Sequence, residues 1–95
     1  LKSVDLGPEI QGMEERHHRI RRGTLEPGGH NAIHTHADEP EVLYLFEGTI
    51  TEHRNETTAE YRAGDVLYGT KNTSHWIENM GSTKTTILVV DIVKK

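Results

Sequence analysis

The stretch GGHNAIHTHADEPEVLYLFEG, residues 28–48, decides how this chain is read. It opens on a glycine turn and places His34 and His36 two residues apart. It breaks at Pro40, and a run of β-formers, Glu41–Phe46, follows before Glu47-Gly48. In a strand, residues i and i+2 point to the same face, roughly 7 Å apart. Both imidazoles can therefore converge on one point. Glu41 opens a new strand beyond the proline, and its carboxylate can return to that point. His75 lies far downstream on another predicted strand and can close the set from across a barrel.

Three imidazoles and a carboxylate suit one divalent transition metal ion. Imidazole favours Fe, Ni, Cu and Zn, and the carboxylate extends the tolerance to Mn. A single carboxylate leaves the site positively charged, so it attracts an anionic or chelating ligand. Four protein ligands on an octahedral ion leave two positions open, which suits chemistry better than structural stapling.

Outward from this stretch the chain is punctuated regularly. Arg16–Leu25 reads as a strand, because Glu14–Arg22 shows no apolar face at helical spacing. Strands are expected at Ala32–Thr35, Glu41–Phe46, Thr49–Arg54, Thr57–Tyr61, Val66–Tyr68, His75–Glu78 and Lys84–Val93. Turns fall at Pro27-Gly28-Gly29, Glu47-Gly48, Asn55-Glu56, Ala63-Gly64-Asp65 and Asn79–Ser82. Leu1–Met13, with Gly7-Pro8 and Gly12, reads as an extended arm with turns. Short strands with turn signals every eight to twelve residues indicate an all-β sandwich or barrel of about 8–10 short antiparallel strands.

Composition narrows the function. The 95 residues point to one domain, residues 1–95. Hydrophobic content is only 33%, but the dense apolar runs Val42–Phe46 and Ile87–Val93 argue against disorder. No apolar stretch approaches the ~20 residues of a transmembrane helix, so no membrane partner is expected. Eleven Lys and Arg against fifteen Asp and Glu give a formal charge of −4, a poor balance for nucleic acid. The absence of cysteine excludes disulfides and thiolate sites. The first residue is Leu1 rather than Met. The expectation is therefore a processed or trimmed product, cytoplasmic or, after removal of a leader, periplasmic or secreted.

The spacing resembles the two motifs of the cupin superfamily. Gly28, His34, His36, Glu41 and Gly48 fill every position of the first, over residues 28–48. Gly64, His75 and Asn79 match the second, over 64–79, with Thr70 and Asn72 where Pro and Gly are preferred. The resemblance implies a small jelly-roll (cupin) β-barrel with one metal inside. It carries His34, His36, Glu41 and His75 over as ligands and makes Gly28, Gly48 and Gly64 turn residues. It also implies a homodimer, paired through the arm or the edge strands. The expected function is a metal-dependent enzyme of dioxygenase, isomerase or lyase class acting on a small anionic organic molecule. The alternative is a non-catalytic small-molecule binding or sensing module that uses the same ion.

Other residues divide between bland and functional readings. Arg19 and Arg21 share a face of their strand with Leu25. If that face looks inward, they can grip a carboxylate; a solvated face or an interface salt bridge is the plainer reading. Leu43, Leu45 and Ile77 share parity with Glu41 and His75 and are expected to line the cavity. Trp76 should face away from the metal. Tyr44 and Tyr68 read as packing residues, and with His30 they are the only general-base candidates beyond the ligands. His17, His18 and His53 fit no ligand position. Asn79 is expected to cap a turn.

Overall fold

The computed structural model describes residues 2–31, the backbone of His34 and Thr35, and residues 38–95. Among these the chain forms strands and turns with no helix. The strands are β1 (Lys2–Asp5), β2 (Arg16–Leu25), β3 (His34–Thr35), β4 (Glu41–Glu47), β5 (Thr49–Arg54), β6 (Thr57–Arg62), β7 (Val66–Gly69), β8 (Ser74–Glu78) and β9 (Thr85–Lys94). They make a five-stranded sheet, β1-β2-β9-β4-β7, and a four-stranded sheet, β3-β8-β5-β6, with antiparallel pairing throughout. No pairing among the described strands joins the two sheets into a closed cylinder. This is the expected all-β jelly roll, built as two facing sheets. Ala32 and Ile33, expected to start β3, lie outside the described residues.

Alternation decides which faces meet. In β4 the pattern runs buried–exposed from Glu41, so Leu43 and Leu45 turn inward while Val42, Tyr44 and Phe46 turn out. β8 and β9 alternate likewise, burying His75 and Ile77, and Ile87, Val89 and Asp91. Leu43, Leu45, Leu67, Ile87 and Val89 from one sheet pack against Ile50 and Ile77 from the other in a single cluster. Each such side chain contributes about 1.5–3 kcal/mol when fully buried.

Turn chemistry holds the frame. Gly28, Gly48 and Gly64 all have positive φ, at 84°, 88° and 97°, as the motif positions imply. Gly48 is constrained twice. A Cβ there would also sit 2.6 Å from Thr85 Oγ1 and 2.7 Å from the Lys84 carbonyl. The loop where Thr70 and Asn72 replace the preferred Pro and Gly closes differently. Thr73 N–H donates to the Thr70 carbonyl (3.0 Å), and Thr70 N–H donates to Thr73 Oγ1 (3.1 Å). Threonine side chains thus replace proline and glycine geometry in turning the chain into β8.

The arm is not free. β1 pairs along its length with β2, Lys2 to Ile20 through Asp5 to His17. Leu6 is buried behind it.

Candidate functional site

Two of the four expected ligands are described with their side chains, and the fold brings them together. Glu41 begins β4 and His75 sits in β8, so they come from opposite sheets. Both are buried, and His75 Nε2 lies 3.7 Å from Glu41 Oε1. His34 is paired with His75 in the β3–β8 register, which places its backbone directly opposite. His36 lies outside the described residues. Among the described residues no group of three His, Asp or Glu side chains is arranged to hold an ion.

The donor chemistry of the described pair fits a divalent metal. A spacing of 3.7 Å is within reach of two donors that each stand ~2.1 Å from one ion. The ring's other nitrogen is engaged: His75 Nδ1 is 2.8 Å from Glu52 Oε2. The Glu41 carboxylate, and then that of Glu52, raise the His75 pKa above its ordinary value, against the opposing effect of burial.

A cavity of about 230 Å³ opens beside this pair. Leu43, Ile77, Ile87 and Val89 form an apolar wall, and Arg21 and Asn31 bring polar groups into it. Leu43 and Ile77 line it as expected. Leu45, expected there too, is fully buried in the core and does not reach the cavity surface.

The arginine face of β2 does look inward, which settles the conditional reading. The register aligns Arg19, Asp91 and Glu41 in one row across β2, β9 and β4, and Arg21, Val89 and Leu43 in the next. Arg19 is spent on buried Asp91 through a two-pronged contact of 3.0 and 2.8 Å. Arg21 touches Asp91 only at 3.5 Å, and its side chain keeps 52% exposure at the cavity. It therefore has guanidinium donors to offer an incoming anion.

The suggested general bases are elsewhere. Tyr44 and Tyr68 lie exposed on the outer face of the five-stranded sheet, so they are not core packing residues either. Tyr68 carries the Arg54 guanidinium 4.3 Å over its ring. His30 packs edge-on to Trp76, and Trp76 stacks on His53 at 3.9 Å on the far side of β8 from His75. Asn79 is wholly buried. Its amide donates to the Leu25 and Thr83 carbonyls (2.9 and 2.7 Å) and accepts from Gly81 N–H at 2.9 Å, a turn-holding role.

Sequence reasoning passed over Glu52 and Asp91, and parity held the signal for both. Glu52 shares a face with Ile50 in β5, and Asp91 shares one with Ile87 and Val89 in β9. An acid in phase with core residues is buried and needs a partner.

Comparison with known proteins agrees with this geometry. Residues 21–91 match the family model described as Cupin domain. An oxalate-binding protein of Thermotoga maritima is 35% identical over 87 residues, which is 88% of this chain and 72% of that protein. The crystal structure of a predicted oxalate decarboxylase from Thermotoga maritima superposes with a TM-score of 0.73 at 34% identity. That match covers 82% of this chain and 68% of the other. A cupin family protein with a double-stranded β-helix fold from Methanocaldococcus jannaschii, 22% identical, gives 0.70 over 81% and 69% and speaks to fold alone. With the two sheets, the motif positions and the family match in agreement, the chain belongs to the cupin domain family.

Proposed function

We propose that this cupin binds a small carboxylate dianion of the oxalate type at a divalent metal ion held by His34, His36, Glu41 and His75. The carrying observation is one arrangement. A buried Glu41–His75 pair from opposite sheets ends a cavity whose side wall presents Arg21. The metal, when bound, supplies a Lewis-acidic positive centre that a bidentate anion can chelate. The chain's own residues do the rest. Glu41 and His75 supply donors to the ion. Arg21 faces the free end of the anion, and a guanidinium meets a carboxylate in a planar, charge-assisted pair. Leu43, Ile77, Ile87 and Val89 exclude water and strengthen that electrostatic grip. The cavity of about 230 Å³ lies below the ~300 Å³ of drug-sized sites and suits a small ligand. The Thermotoga maritima relative, named for oxalate binding, supports this class of ligand.

Among the described residues that line the cavity, none beyond Glu41 and His75 can exchange a proton near neutral pH. This favours the binding reading over the catalytic one. The second reading, a metal-dependent lyase on the same anion, has the likeness to the predicted oxalate decarboxylase in its favour.

Calorimetric titration with oxalate tests the proposal. The Mn²⁺-loaded protein should bind oxalate, the metal-free protein should not, and Arg21→Ala should lose about tenfold or more in affinity. Equal binding with and without metal would overturn it. Assaying the same loaded sample for oxalate consumption separates the lyase from the binder.

We also propose a second copy of the chain as its partner. The outer face of the five-stranded sheet exposes Val42, Tyr44, Phe46, Val66 and Tyr68 side by side. The three aromatic rings alone present roughly 300 Å² at these exposures. The valines Val42 and Val66 extend this apolar face, and a standard interface buries ~800 Å² per partner. A two-fold pairing lets one such patch cover itself.

A further inference from the structure

Glu52 is 1% exposed and occupies a core position, yet it is a carboxylate. An isolated ion there is costly, so its contacts state its purpose. Oε2 lies 2.8 Å from His75 Nδ1. The same oxygen accepts from Arg54 Nε and Nη2 at 3.3 Å, and Oε1 accepts from Tyr61 Oη at 3.3 Å. Arg54 in turn donates to the Tyr68 carbonyl and lies over the Tyr68 ring. The carboxylate is thus held from β5, β6 and β8 of one sheet, and Arg54 is held in turn by β7 of the other. A ring held at Nδ1 has only Nε2 left to offer, and Nε2 is the atom that faces Glu41.

We infer that Glu52 is the positioning residue of the metal centre. It accepts a hydrogen bond from His75 Nδ1–H, fixes the ring's tautomer and tilt, and makes Nε2 a stronger donor to the ion. Carboxylates in this relation to a ligating histidine commonly govern metal affinity. The inference rests on the metal reading of the site. Its alternative is a purely structural Glu52–Arg54 pair in the core.

The test uses the apoprotein titrated with Co²⁺ alone, followed by calorimetry and visible absorption. Glu52→Gln keeps the size of the side chain. It should remain folded by circular dichroism, bind Co²⁺ about 10–100-fold more weakly, and shift the d–d bands. A folded Glu52→Gln protein with wild-type affinity and spectrum overturns the inference and leaves the metal reading standing. Wild-type protein that binds no Co²⁺ removes both. Should Glu52→Gln not fold, the Zn²⁺-loaded wild type decides through histidine ¹⁵N resonances. Protonated Nδ1 with coordinated Nε2 in His75 supports the assignment, and coordination through Nδ1 overturns it.

Discussion

Asn79 shows how much one side chain can hold. Its amide ties the end of β2, through the Leu25 carbonyl, to the turn before β9, through Thr83 and Gly81. Its own backbone is bonded to Gly28 and Gly29. Asn79→Ala removes the amide partner of two part-buried carbonyls and one N–H, and should destabilise the protein by about 1–3 kcal/mol in chemical denaturation. A change below ~0.5 kcal/mol would show that water replaces the amide without loss. The motif made Asn79 legible as a position and its turn role was expected, but its bonds to Leu25, Gly28 and Gly29 were not legible, because those segments are remote in sequence. Glu41 and His75 were legible as neighbours through the motif positions they fill. Glu52 was not, because an acid in a polar hairpin strand reads as solvated until its phase with Ile50 is weighed.

Elements differ in how local their causes are. β4, β8 and β9 were readable because apolar alternation is a property of the strand itself. β2 was readable as a strand, but which way Arg19 and Arg21 point depends on Asp91 in β9, a neighbour that sequence does not supply. β1 carries no such pattern: all four of its residues are exposed, and it exists through backbone pairing to β2. Its end is tied by Asp5, which accepts from Lys95 Nζ (2.9 Å) and from Gly7 N–H (3.0 Å). The Lys95 contact, followed by the Gly7 bond, holds the Asp5 carboxyl below its ordinary pKa. A lowered folded-state pKa gives stability that is present above the unfolded value and lost as pH falls through the folded one. Protection of the Val4 and Leu6 amides should therefore fall as pH drops through the carboxylate range, and Asp5→Asn should show that reduced protection already at neutral pH. Identical exchange in wild type and variant at neutral pH would mean that β1 is held by its ladder alone.

At the scale of the molecule, the two faces of the five-stranded sheet have different work. The inner face carries the Arg19–Asp91–Glu41 row and the cavity wall. The outer face exposes Val42 at 51% and Tyr68 at 56%, paired with each other across β4 and β7. Sedimentation equilibrium should give twice the chain mass for the wild type and the chain mass for Tyr44→Lys/Phe46→Lys, two exposed positions of the same face, with unchanged metal affinity. A monomeric wild type at high micromolar concentration contradicts the pairing. The site itself is assembled only by the whole fold, since Glu41 and His75 reach each other from opposite sheets. Metal analysis of the purified, Mn²⁺-reconstituted protein tests that assembly most directly, with Glu41→Ala and His36→Ala measured alongside. The account predicts one ion per chain in the wild type and a loss of most of it in each variant; wild-type metal content in both variants would contradict it.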